Sequence, residues 1–309
     1  MLELIYKMQP LDYVYLLVGI ILFIFAIQSF LDKEHKYRIG TGLFWLLYSV
    51  SFIFGSYLSK EINGWLVIAM AAIVLVKQLG KGHYFESPIE FKKDEAVRIG
   101  NVIFVPALLV GIITFIIGFF TKLGALVGIG IAAIIAMCAD LYITKGSFNQ
   151  GFHEGRRLID AIGWTAILSQ LLAALGYLFN LPGVGKLISS MVASIVPADN
   201  VFLIVVAYCI GMAFFTMIMG NAFAAFAMIT SAIGVPMLVA GHGANPAVVG
   251  PIAMLAGYCG TLMTPMAANF NIVPVALLEM KDTYGVIKAQ IPVAIVMLTL
   301  NILLMYYFL

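Results

Sequence analysis

Residues 212–226 read MAFFTMIMGNAFAAF and residues 261–271 read TLMTPMAANFN, and these two stretches decide how the chain is organised. Both are strongly apolar, yet they carry Gly220, Asn221, Thr264, Pro265, Asn269 and Asn271 where a plain membrane span would carry Leu or Ile. A broken helix in hydrocarbon leaves backbone groups unpaired, at several kcal/mol per group, unless protein or a wet cavity satisfies them. Breaks at membrane depth therefore line something, and these residues raise the expectation of a transport site.

The rest of the chain sets the class. Of its 309 residues 63% are hydrophobic and 10% charged, with a mean hydropathy of +1.06. Soluble domains average about 25% charged residues, so the expected fold is an all-α polytopic membrane protein. A net charge of +2 without a basic patch speaks against nucleic-acid binding. The first ten residues, with Glu3 and Lys7, show no basic n-region or cleavage site, so the first span is expected to insert and stay. Cys138, Cys209 and Cys259 lie scattered in apolar runs without metal spacing and read as small buried hydrophobes, so no metal or cofactor is expected.

Apolar runs fall at about 11–31, 39–58, 62–80, 99–121, 123–143, 158–180, 200–219, 222–240, 247–278 and 286–309, which predicts about ten membrane segments. Residues 183–198 are shorter and amphipathic and are expected to lie along the interface. Turn residues at 179–183, 80–88 and 241–246 separate the segments. The polar residues at depth concentrate after 146. This divides the chain into a scaffold of about five helices, 1–145, and a transport half, 146–309.

Placing loops 32–38, 77–98, 144–157 and 279–288 on one side gathers thirteen of the 17 Lys and Arg there. The other side keeps only Lys7, Lys60, Lys122 and Lys186. By the positive-inside rule the basic loops face the cytoplasm and both termini lie outside a cell membrane. The turn at Gly220-Asn221 would join the basic side, yet it has no charge and no polar loop. A re-entrant hairpin over about 200–240, turning within the membrane, explains this. The run 247–278 is too long for one straight span, and Pro265 removes a backbone donor and crowds the preceding turn, so a broken helix is expected at 264–269.

A hairpin tip exposes helix N–H groups, which attract carboxylates, and helix C=O groups, which coordinate cations. The expected substrate-binding residues are Gly220, Asn221, Thr264, Pro265 and Asn269. The expected cation ligands are Thr216, Asn221 and Thr264, whose neutral oxygens suit a hard cation. Packing and helix capping are the alternative roles for these small residues. A second polar cluster runs from Gly151 to Trp164. There Arg157 and Asp160 share a helical face and can pair, and Arg156, Arg157, Asp160 and, further on, Gln170 are candidates for a gate or partner contact; a neutralised, snorkelling flank is the alternative. Ser169 is polar at depth, Asp140 is expected to pair locally with Lys145, and His242 to be solvated. No catalytic triad, Walker loop or carboxylate pair appears, so an enzyme is not expected.

Phe214–Pro236 and Gly257–Asn271 resemble the C-terminal half of the ion-transporter superfamily of citrate, dicarboxylate and gluconate carriers. Its hairpin has a Ser-Asn-Thr-like tip, matched here by Met219-Gly220-Asn221-Ala222, which departs from it at both flanks. The Gly151–Trp164 motif, with Gln170–Gly176 and Tyr258–Asn271, resembles a DUF979-type bacterial family identified as one subunit of a two-component 5-oxoproline (pyroglutamate) transporter. That resemblance implies a companion membrane subunit. The residues themselves show one hairpin and one broken helix, where inverted-repeat carriers use two sets. The expectation is one subunit of a secondary carrier for a small carboxylate, coupled to Na⁺ or H⁺ and completed by a second membrane subunit. A homodimeric carrier of another organic acid and a non-transporting assembly subunit are the alternatives.

Overall fold

The computed structural model describes residues 8–84, 89–179, 184–197 and 199–309. The N-terminal flank with Glu3 and Lys7, the turn at 180–183 and residues 85–88 of the basic loop lie outside the described residues. The described chain is helical throughout and divides into two units, Met1–Gly163 and Trp164–Leu309.

In the first unit, α1 (Pro10–Leu31) pairs with α2 (Arg38–Phe54), which leads to α3 (Lys60–Leu75). Apolar residues surround α1 on all sides, so burial rather than an amphipathic stripe selects its packing face. Ser49 of α2 donates to the Gly19 carbonyl at 2.7 Å, a bond that holds the two helices together in a medium without water. The basic loop 77–98 leads into α4 (Ile89–Ile99). A short 3₁₀ stretch, Gly100–Phe104, joins α4 to α5 (Val105–Phe120), which packs on α6 (Ala125–Thr144). Ser147 caps α7 (Phe148–Ile162) through the N–H of Gln150, and Gly163, at φ +55°, ends it.

The second unit opens with α8 (Thr165–Phe179) and α9 (Val184–Ile195). On α9, Ile188 and Val192 pack on the core while Leu187, Met191 and Ile195 are exposed. Next come α10 (Val201–Met219) and α11 (Ala222–Ile229), the latter continuing as a π-helix, Thr230–Ala240. Pro236 sits inside that π stretch, where the missing N–H and the ring crowding of proline are absorbed by the wider turn. Asn245 caps α12 (Pro246–Leu262), and after a break come the short α13 (Ala268–Asn271) and α14 (Val273–Leu277), then α15 (Gly285–Tyr307). The core lies where α10, α11, α12 and α15 meet, around Tyr208, Met212, Ile229 and Ala253. A side chain at Gly260 would run into the Ala213 carbonyl, so α10 and α12 cross at backbone contact.

Among the described residues, six helices are long and apolar enough to cross a membrane, or seven if α7 and α8 form one bent span. The protein is thus a multi-pass membrane protein. The count falls short of ten because several expected segments are shorter helices, such as α2 with 17 residues and α3 with 16. At 1.5 Å per residue these reach about 24–26 Å, less than the roughly 30 Å hydrocarbon core.

Candidate functional site

The two stretches that dominate the sequence meet in the second unit. Gly220 ends α10 at φ +64°, its N–H donating to the Thr216 carbonyl at 2.7 Å. Asn221 is extended and begins α11. The turn between the two 19-residue apolar legs is therefore these two residues. Glycine is required twice over here: the backbone is left-handed, and a Cβ would stand 2.6 Å from both the Met266 carbonyl oxygen and Leu172 Cδ1. The hairpin tip thus rests on the broken segment that follows α12.

That segment is held by side chains. Thr264 is buried, and its hydroxyl donates to the Met217 carbonyl at 2.7 Å while accepting the Met266 N–H at 3.1 Å. Asn271 is wholly buried and donates through Nδ2 to the carbonyls of Thr261, at 2.8 Å, and Thr264, at 2.6 Å. Helix ends leave carbonyls without partners, and Asn271 supplies donors for two of those freed by the break. Its orientation is fixed chemically, because only the amide nitrogen can donate to two carbonyls.

Between tip and break lies a cavity of about 240 Å³, lined by Gly220, Asn221, Ala222, Thr261, Ala267, Ala268 and Asn269, with Leu172, Phe223, Tyr258, Met266 and Phe270. Among the described residues its lining has no carboxylate, amine, guanidinium, imidazole or thiol. Its polar groups are the Asn221 and Asn269 amides, the Tyr258 phenol and main chain, with the Thr261 hydroxyl buried in the wall. The Phe223 N–H is taken by Asn221 Oδ1 at 2.8 Å, so the Asn221 side chain offers its NH₂ as a donor. First-turn N–H groups of a helix carry partial positive charge, and Ala222 brings the start of α11 to this wall.

Of the residues expected to bind substrate, Gly220, Asn221 and Asn269 share the cavity. Thr264 lies beneath it as a strut, and Pro265 is exposed beside it and outside its lining. Of the expected cation ligands, Thr264 and Asn221 have their oxygens engaged as above, while Thr216 Oγ1 is buried without a partner. Thr261 Oγ1 and Asn271 Oδ1 are in the same condition. Thr261 and Asn271 carried a readable signal, a hydroxyl and an amide in an apolar run, but their roles depend on contacts made across the break. Gln170 on α8 is absent from the cavity lining, and its Oε1 is buried without a partner. Ser169 is among the residues whose side chains lie outside the description.

All of the Gly151–Trp164 motif but Trp164 belongs to the first unit, where it builds a separate polar centre. The expected pair of Arg157 with Asp160 is replaced: Arg157 pairs with Glu154 at 2.8 Å, and Arg156 faces Asp160 at 3.6 Å and Asp32 at 2.8 Å. Both spacings lie on one helical face, but only Arg156 is turned inward, 4% exposed. Asp140 and Lys145 are exposed and form no ion pair among the described residues, and His242 Nδ1 donates to the Met237 carbonyl at 2.7 Å from an exposed turn.

A model of the protein family DUF979, described as a protein of unknown function, matches residues 12–309. The chain belongs to this family. The match takes in every described helix beyond the start of α1, and so spans the residues of both units. No curated protein and no solved structure matches the chain significantly.

The strut makes a direct prediction. Thr264→Val keeps the shape but removes the bond to Met217 and the acceptor for Met266, and should destabilise the second unit by about 1–3 kcal/mol. Thermal unfolding of the purified protein in detergent measures it, and an unchanged midpoint would rule out the strut.

Proposed function

We propose that this DUF979 protein is one subunit of a secondary carrier for a small carboxylate. The observation that carries the reading is the uncharged cavity between the hairpin tip and the broken helix. Its volume lies below the roughly 300–1,000 Å³ of drug-sized sites, which suits a molecule of a few heavy atoms. Amide donors and the start of α11 favour an anion, and the apolar rings of Phe223, Tyr258 and Phe270 suit a compact ring or chain. The resemblance to the two-component family makes 5-oxoproline the first substrate to test and a second membrane subunit the expected companion. One hairpin and one break supply half of the paired arrangement used by inverted-repeat carriers. The oxygens of Thr216, Thr261 and Asn271, partnerless among the described residues, are of the kind that hold Na⁺, and the buried carboxylate of Asp160 in the first unit is of the kind that holds H⁺. In this reading the basic loops face the cytoplasm and both termini lie outside.

Uptake of labelled 5-oxoproline tests the proposal. Accumulation should require this chain and a second polytopic subunit encoded beside it. Accumulation that survives deletion of either would leave no place for a two-subunit carrier. Asn221→Ala removes a donor from the cavity wall and a helix cap that is typically worth about 1 kcal/mol, so it should abolish uptake while the protein still assembles in the membrane. Full uptake in that variant would reject the tip as a site, and uptake sensitive only to Arg156 and Arg157 would favour an assembly role.

A further inference from the structure

The cavity makes no use of the polar centre in the first unit. There Asp160, whose side chain is fully buried, accepts the Trp45 Nε1–H at Oδ1 over 2.7 Å. Its Oδ2 lies 2.6 Å from the Tyr84 hydroxyl, whose oxygen also accepts the Gly82 N–H at 2.8 Å. Four segments meet around this carboxylate: the connection after α1 with Asp32 and His35, α2 with Trp45, loop 79–84 with Tyr84, and α7 with Arg156 one turn earlier. The His35 Nδ1 accepts the Tyr37 N–H at 3.0 Å and its Nε2 donates to the Gly80 carbonyl at 3.1 Å. His83 and Glu34 face each other at 3.5 Å outside the centre, both exposed.

The charges do not balance. One guanidinium, 4% exposed, stands against two carboxylates, and among the described residues no lysine or second arginine forms an ion pair with them. An uncompensated buried charge is costly and is relieved by proton uptake. The Tyr84 contact can serve both states. With Asp160 ionised, Tyr84 donates to it; with Asp160 protonated, Oδ2–H donates and Tyr84 Oη accepts from it and from Gly82. Burial, with the Asp160 charge beside it, pushes the Tyr84 phenol well above its ordinary range, so this hydroxyl keeps its own proton. A side chain at Gly82 would collide with the Arg156 guanidinium, so loop 79–84 lies directly over the centre.

We propose that Asp160, with Tyr84 as its hydrogen-bond partner, is a reversible proton-binding site on the basic face of the protein. The proton comes from water past loop 79–84, resides on Asp160 Oδ2, and returns by the same route. When it is bound the centre is neutral, with Arg156 paired to Asp32. The proposal builds on the transport reading, since it names where a coupling or regulatory proton sits, but proton binding has a readout of its own.

Trp45 is that readout, because its indole N–H touches the titrating carboxylate. The chain has three tryptophans, Trp45, Trp65 and Trp164. In the full-length Trp65→Phe, Trp164→Phe protein, the emission of Trp45 should follow a one-proton transition on titration across the range of about pH 5–9 open to shifted carboxylates. Asp160→Asn should remove the transition. Tyr84→Phe takes a donor from the ionised form, where such a bond is strongest, and should move the midpoint upward. Flat emission from the folded protein, or a transition that persists in Asp160→Asn, would overturn the proposal; if Asp160→Asn does not fold, an unmoved midpoint in Tyr84→Phe does so. If no labelled 5-oxoproline is taken up at any pH, the transport reading fails while the Trp45 titration still decides the proton site. If uptake does occur, its pH profile should shift in Tyr84→Phe in step with the emission midpoint.

Discussion

Gly220→Ala should destabilise the second unit by about 2–5 kcal/mol and abolish uptake. Two costs combine. Holding an L-residue in the left-handed region costs about 1–2 kcal/mol, and forcing an extra methyl into packed surroundings costs a further 1–3 kcal/mol or so. The second cost is firm here because the methyl would meet the Met266 carbonyl, which is backbone and cannot rotate away. Gly220→Asn separates the two. Asparagine tolerates the left-handed conformation but still carries a Cβ, so it should be nearly as damaging as alanine. If Gly220→Asn unfolds at the wild-type temperature, the close approach of tip to break is absent.

Arg156→Met should cost about 3–5 kcal/mol, the range for removing one partner of a buried ion pair. It leaves Asp32 and Asp160 without their shared cation, and the loss should appear as a lower unfolding temperature at neutral pH. Asp160→Leu added to Arg156→Met removes one stranded charge and should recover part of that loss; a double variant no better than the single would disprove the pairing. Acid gives an independent check. Burial pushes the Asp32 carboxyl up, but the His83 N–H and Arg156 outweigh this and hold it below its ordinary value of 3.8. A carboxylate with a depressed folded pKa contributes stability above its unfolded pKa and loses it as pH falls through the folded one. The wild-type protein should therefore lose this contribution below a pH of about 3.8, and Arg156→Met should show a smaller loss over that range.

The hairpin turn and the helix break were legible because hydrocarbon tolerates little polarity. Glycine and asparagine at 220–221, and Thr264-Pro265 in an apolar run, have few roles there besides turning a chain. Three features were not legible. The inward choice of Arg156 over Arg157 depends on Asp32, 124 residues away in sequence, which no local helical spacing reveals. The task of Asn271, supplying donors to carbonyls released by the break, exists only once the break has its three-dimensional path. The number of crossing helices depended on where helices end, and α2 and α3 stop several residues short of their apolar runs because the chain turns at Gly55 and Val76.

Among the described residues the cavity wall holds no group that titrates near neutrality, its one ionisable side chain being the Tyr258 phenol, and this has a consequence for kinetics. A recognition surface of amides, rings and main chain has the same charge across the physiological range, so it cannot itself impose a pH optimum on substrate affinity. Any change in apparent affinity with acidity must come from the substrate's own carboxyl group or be imposed from elsewhere in the molecule. Recognition in one unit and acid sensing in the other would then be separable by mutation, one set of variants altering saturation and the other altering the pH at which turnover proceeds.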